Sequence, residues 1–442
     1  MPYIFYDLET SSINPVGQIL NACFTLVDSQ LEPKDCYKGS IHISRLQLPE
    51  VGAVLANRID ILEHQSKSYP SEVEFFSGLE QFIKKIQAKN GDITLVGYNS
   101  NSFDLGYLRT SLLRNGFYPY INKGNQDILL AIRSLYHSSE EFREFAEENL
   151  KTSEGKLQFT LQNIARSLDL LDGDQLHESS ADVELTIEVA KSLRDIFEFD
   201  LNRFVSNQLQ KYSSASVGKT VEAIILSRHN SGEQDELTLV NSDATGSRSL
   251  WISRNALLGG AAPRESIKYL KREDLVIVSS ETKPSSEALE ALKSVSDITV
   301  NNFFGPVACD VEQHIYAVSP QEIKVLLPKF HNPTSLSDLS KAGKELVLRY
   351  RLANYKMLEG DNSAFLAKFK EYANFRYGSV DSGVKMRLDK GAESPIYHES
   401  LDIMVLACEK KLGEVESEKD KSLISSLLSY YKSSELYKVL TS

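Results

Sequence analysis

Cysteine is scarce in this sequence: four residues in 442, at positions 23, 36, 309 and 408. None forms a CxxC pair, which excludes a disulfide framework or a zinc knuckle as the organising device and makes a reduced, cytoplasmic compartment the expectation. No stretch approaches the ~20 apolar residues of a membrane span. The N-terminal run MPYIFYDLETSS has neither the basic region nor the apolar stretch of a secretory signal. With 23 glycines and 13 prolines, the chain has too little of either for a collagenous or low-complexity protein. A basic excess is also missing. The net charge is −12, which at face value speaks against a nucleic-acid partner.

The charge is unevenly spread. Residues 1–200 carry 18 Lys+Arg against 30 Asp+Glu, so the entire deficit lies there and the remaining 242 residues are neutral. Within them, residues 341–390 hold 11 basic and 6 acidic side chains. An acidic first part, a neutral middle and a locally basic stretch near the end permit an anionic partner without demanding one.

The length holds about three domains by the usual prior. In residues 1–200, short β-branched or aromatic runs (Tyr3–Tyr6, Cys23–Val27, Asp92–Gly97) alternate with helical spacings. Those spacings fall over Ser71–Ile86, Leu105–Asn115, Leu161–Leu168 and Ser180–Ile196. This alternation predicts one α/β domain. From about residue 215 the texture turns to short β-type runs (Thr220–Leu226, Leu237–Val240, Ser249–Ser253, Leu275–Val278) with a helix near Ser286–Val295, a small β-rich domain over 201–340. Helical patterns dominate 341–442, after a polar boundary at His331–Ser340.

Three local features carry chemistry. In Tyr6-Asp7-Leu8-Glu9-Thr10 the two acids stand at i and i+2, on one face of a strand. Two carboxylates so close share either a proton or cations. In Gly97-Tyr98-Asn99-Ser100-Asn101-Ser102-Phe103-Asp104, a strand feeds a turn and Asp104 opens a helix. In His177-Glu178-Ser179-Ser180-Ala181-Asp182, the histidine precedes a helix and Asp182 sits in its first turn. Each has a bland reading when taken alone: solvated acids at a strand end, a helix N-cap, a surface histidine. Together they supply hard oxygen donors for Mg²⁺ or Mn²⁺ and a base with a suitable pKa. That is the equipment of two-cation phosphodiester hydrolysis.

The set Asp7, Glu9, Asp104, His177 and Asp182 resembles that of the DEDD-type 3′–5′ exonucleases, in the subclass with histidine in the third motif. Val51–Leu55, Gly97–Asp104, Phe117-Tyr118-Pro119-Tyr120 and Glu345–Tyr355 are similar, within that superfamily, to the bacterial exonuclease I family over nearly the whole chain. The resemblance implies a ribonuclease-H-like nuclease domain with a mixed sheet (1–200), an SH3-like β domain (201–340) and a helical C-terminal domain (341–442). It implies that Asp7 and Glu9 are shared metal ligands, Asp182 a third, Asp104 a ligand of the second ion through water, and His177 the general base. Two Mg²⁺ ions, replaceable by Mn²⁺, are the implied cofactors. Thr10, Asn99, Phe103, Thr160, Arg349, Arg351 and Tyr355 become candidate substrate contacts.

Three positions depart from the pattern: Thr160 stands where relatives carry Arg, Leu105 follows Asp104 where a second acid is familiar, and Ser179 stands where Ala is usual, a small-for-small change expected to matter little. The resulting expectation is a processive, monomeric, single-strand-specific 3′–5′ exodeoxyribonuclease of DNA repair or recombination. Docking to the acidic tail of single-strand binding protein is also implied. The alternatives are an exoribonuclease of the same superfamily and a non-catalytic single-strand-binding scaffold. Residues 341–390 combine their basic excess with Tyr350, Tyr355, Phe365, Phe369, Tyr372, Phe375 and Tyr377, which fit either base stacking or the core of a helical domain.

Overall fold

The structure is a computed structural model describing residues 2–13, 17–44, 47–122, 124–171, 178–199, 201, 217–226, 232–242, 248–271, 275–299, 318, 320–331, 335–353 and 401–433. His177, Tyr355 and the aromatic-rich stretch beyond residue 353 therefore lie outside the described residues.

The first sheet has strand order β3-β2-β1-β4-β5, built from β1 (Tyr3–Thr10), β2 (Ile19–Val27), β3 (Pro33–Ser40), β4 (Thr94–Gly97) and β5 (Gly124–Asp127). β1, β4 and β5 run parallel, while β2 and β3 are antiparallel to them. This is a mixed sheet, as the family resemblance implies, in the α/β setting that the alternation of elements predicts.

Side chains of β1 alternate between two cores, as the period of a strand requires. Ile4, Tyr6 and Leu8 enter one core with Phe76, Leu79 and Ile83 of α3 (Glu72–Asn90) and Tyr107, Leu108 and Leu112 of α4 (Asp104–Arg114). Tyr3 and Phe5 enter the other. There they meet Ile128 and Ile132 of α5 (Ile128–Ser138), Phe142 of α6 (Glu140–Asn149) and Ile164 of α7 (Leu161–Ser167). The long α8 (Ser179–Phe197) completes that core with Val183, Ile187 and Ala190 and packs along β1 and β2. Two more positions along β1 the same alternation reaches Asp7 and Glu9, past the end of the apolar run.

Between β3 and α3 lie two short helices, α1 (Val51–Asn57) and α2 (Ile61–Ser66). Arg114, buried at the end of α4, pairs with Glu72 at the start of α3 and donates to the Gly17 carbonyl at 3.1 Å. It thereby ties two helices to the loop that follows β1.

A second, wholly antiparallel sheet has order β10-β6-β7-β8-β9: β6 (Thr220–Leu226), β7 (Gly232–Ser242), β8 (Arg248–Ser253), β9 (Ile267–Lys271) and β10 (Leu275–Thr282). Trp251 is fully buried there and donates its Nε1–H to Ser249 Oγ at 2.6 Å. The helix Ser286–Ser294 covers part of β7 and β8.

The helical segments fold back on the first domain. Ile323, Leu326 and Phe330 of Pro320–His331, with Leu346 and Val347 of Lys341–Ala353, pack on Leu113 of α4. Leu401–Glu414 and Glu418–Ser433 pair with each other and bury Met404, Ile424, Leu427 and Tyr431 against Val54, Ile61, Leu20 and Ile43. Among the described residues no helix is long and apolar enough to cross a membrane.

Candidate active site

The carboxyl ends of the parallel strands in an open α/β sheet are where ligands bind, and the sequence-predicted acids gather there. Asp7 and Glu9 project from the last part of β1, and Asp182 comes from the first turn of α8. One carboxylate oxygen from each of these three lies within 4.8 Å of the others. Residues 175 positions apart in the chain thus share one acidic pocket.

Two contacts hold Asp182 in place. Glu9 lies opposite Asn21 in the β1–β2 ladder, and the Ser179 hydroxyl at the start of α8 donates to Asn21 Oδ1. Ser179, expected to matter little, therefore pins the helix to the strand pair at the level of Glu9. An alanine has no such bond to offer.

Asp104 stands beside this trio rather than in it. The pairing of β1 with β4 stops at Phe5–Val96, which leaves the backbone of β1 uncovered farther on. The Asp104 carboxylate, first residue of α4 and buried, accepts from the Leu8 N–H and so caps that exposed edge. Burial, reinforced by Asp127 and Glu9, pushes its pKa up to about 8. Asp7 is raised well above the ordinary carboxylate range by burial, then by Asp104, Glu9 and Asp182. Four acids crowd one site. Such a set is electrostatically costly unless protons or cations neutralise it.

The turn carrying Asp104 is built by its own Gly97 and Asn99 and by Asp127 and Asn125, which sequence reasoning passed over. Gly97 is required at its position, because a Cβ there would lie 2.6 Å from Ser100 Cβ and 3.1 Å from the Tyr6 carbonyl. Asn99 takes the left-handed conformation at φ 58°, a region asparagine tolerates better than most residues. Asp127, buried at the end of β5, accepts from the N–H groups of Asn99 (2.8 Å), Asn101 (3.0 Å) and Leu129 (3.0 Å). It clamps the turn and caps α5 at once. Its pKa is pushed up to about 6 by burial, against the pull of those N–H donors. Tyr6 donates to Asn125 Oδ1 at 3.0 Å, and Asn125 donates on to Ser100 Oγ and Asn101 Oδ1. Asn125 and Asp127 thus find partners inside a buried polar strand that no apolar residue marks in the sequence.

The other candidate residues divide. Thr10 is buried beside Glu9 and donates to the Ser12 carbonyl at 2.8 Å. Phe103 precedes α4 and packs on Tyr107 with ring centroids 4.9 Å apart. Thr160 is exposed, and its hydroxyl caps α7 by accepting from the Asn163 N–H at 3.2 Å. Arg351 donates to the Lys329 carbonyl at 2.9 Å, an intramolecular anchor between two helices. Arg349 lies on the same helix.

No protein-family model matches the sequence, and no curated protein does. Solved structures do match, over essentially the full length. Escherichia coli exonuclease I in a zinc-bound complex with single-stranded DNA superposes with a TM-score of 0.65 at 16% identity, covering 99% of both chains. The same enzyme with a dA16 oligonucleotide gives 0.65 at 17% identity, covering 98% of this chain and 99% of that one. A product-bound exonuclease I gives 0.65 at 16%, with the same coverage. This chain has the exonuclease I fold. At such identity the likeness speaks for the path of the backbone, and the site must be argued from its own side chains.

Proposed function

We propose that the chain is a 3′–5′ exonuclease that releases 5′-mononucleotides from single-stranded DNA in repair or recombination. The observation that carries the proposal is the convergence of Asp7, Glu9 and Asp182, with Asp104 alongside, at the strand ends of an exonuclease I fold. The donor set is all carboxylate oxygen, which suits Mg²⁺ or Mn²⁺ rather than a soft metal. Asp7, Glu9 and Asp182 would hold the ions, with Asp104 reached through water. Bound there, two such cations would supply charge neutralisation for both the entering and the leaving oxygen of an in-line displacement.

The protein's own groups have distinct tasks. Asn21 and Ser179 fix the distance between strand and helix carboxylates. Asp127 and Asn125 hold the turn that presents Asp104. His177, five residues before Asp182, takes the proton of the attacking water. The basic, aromatic stretch of residues 341–390, most of it outside the described residues, would close over the strand by tracking phosphates and stacking bases. Such a closure favours many cuts per encounter by a single copy of the chain. Docking to the acidic tail of single-strand binding protein, implied by the family resemblance, belongs to the same proposal.

The test is incubation of single strands, labelled at either end and made of DNA or RNA, with Mg²⁺ or with chelator. Metal-dependent release of mononucleotides from the 3′ end of DNA is expected, and Asp7→Asn is expected to abolish it while strand binding without metal persists. Turnover by Asp7→Asn, or equal activity in chelator, would refute the metal-dependent reading. Faster loss of RNA would move the substrate to the ribose series.

A further inference from the structure

On the face of the sheet away from α3 and α4, β2 and the edge strand β3 bring two cysteines together. Cys23 lies opposite Lys38 and Cys36 opposite Thr25, so the thiols form a diagonal pair across adjacent strands. Their Sγ atoms are 3.9 Å apart, with the Thr25 hydroxyl 3.6 Å from both. One thiol is buried in the core and the other is exposed. Among the described residues β3 pairs only with β2, so its outer side allows the strand to shift by the small distance that bonding requires.

We propose that Cys23 and Cys36 form an oxidation site at which a small hydroperoxide reacts with Cys36 and Cys23 resolves the product to a disulfide. The surroundings divide the two roles. The Cys36 thiol is lowered to about 6, chiefly by the hydrogen bond from Cys23, with help from Thr25 and Lys38 and against burial and Asp35. Cys23 is raised by that same bond and by burial, so it stays the proton-bearing partner. A low thiol pKa together with solvent access is what makes a cysteine react with peroxide. Cys408 offers the contrast: it is buried and raised to about 11.

The chemistry balances. The Cys36 thiolate attacks one peroxide oxygen, the O–O bond breaks, and the departing hydroxide takes a proton to become water. Cys23 sulfur then attacks the sulfenic sulfur; the S–S bond forms, the S–O bond breaks, and the leaving hydroxide takes the Cys23 proton. Two thiols lose two electrons and one peroxide becomes two waters. The inference does not depend on the nuclease reading, since its readout is covalent.

The reduced full-length protein is treated with equimolar hydrogen peroxide, unfolded, alkylated and digested for mass spectrometry. A peptide pair joined through Cys23 and Cys36 is expected, with Cys36 consumed at least ~tenfold faster than Cys408. Cys23→Ala is expected to accumulate a sulfenic acid at Cys36 that dimedone captures. Cys36→Ser, placed on the exposed edge strand, leaves Cys23 fully alkylatable and carries the test even if Cys23→Ala folds poorly. Over-oxidised Cys36 beside an intact Cys23, or reaction at Cys408 at an equal rate, would overturn the proposal.

Discussion

A carboxylate that holds its proton near neutral pH must surrender it before it can hold a cation, so the acids of this site couple metal affinity to pH. Asp104 is pushed up to about 8 by burial, Asp127 and Glu9, and Asp7 is raised well above its ordinary range by burial, Asp104, Glu9 and Asp182. Both shifts are upward, so protons compete below pH 8 and the competition fades as pH rises. Mn²⁺ binding, followed by calorimetry from pH 6 to pH 8, should therefore tighten by up to about tenfold per unit for each proton displaced. A flat profile would mean that the acids are already ionised without metal. The proposed base has its own signature. His177→Ala should slow the chemical step by roughly 10²–10⁴-fold, with the defect shrinking toward high pH in single-turnover assays as hydroxide replaces the missing base. A loss independent of pH would assign the histidine a structural task instead.

At the scale of elements, what the letters disclosed depended on whether an element is held by apolar contrast or by polar partners. β1, α3, α4 and α8 stood out because hydrophobic periodicity marks one buried face, and the acids at their ends followed from the same counting. β5 is the opposite case. Gly124-Asn125-Gln126-Asp127 has no apolar residue yet is wholly buried, and Asn125 and Asp127 hold the turn before α4 rather than fill a core. β3 (PKDCYKGS) was equally illegible: as an exposed edge strand it has no buried face to advertise. Ser179 was undervalued for a third reason, since a hydrogen bond to Asn21 links residues 158 apart and no local pattern encodes it.

The helix Glu418–Ser433 shows the converse, a legible helix whose purpose is visible only in three dimensions. Leu427 is fully buried between α1, α2 and its partner helix. Leu427→Ala should cost about 2–5 kcal/mol of stability, read as a lower midpoint in urea unfolding. An unchanged midpoint would show that this pair of helices melts independently of the rest.

For the whole molecule, a closure that passes one strand must exclude two. Each base pair opened ahead of the site costs about 1.4 kcal/mol of stacking, roughly tenfold in rate where opening limits turnover. Blunt duplex should accordingly be degraded at least ~tenfold more slowly than the same strand alone, in a side-by-side initial-rate assay; equal rates would remove the closure.

The return of residues 401–433 to the first domain also sets a timetable for synthesis. Tyr430 and Tyr431 donate to the carbonyls of Gln47 and Pro49, closing a seam between residues made early and residues made late. Until the ribosome has released those tyrosines, the flank of the nascent chain formed by Leu20, Val54 and Ile61 stays wet. The strands of the first sheet can pair before then, while the helices beside them keep one side bare until the seam closes.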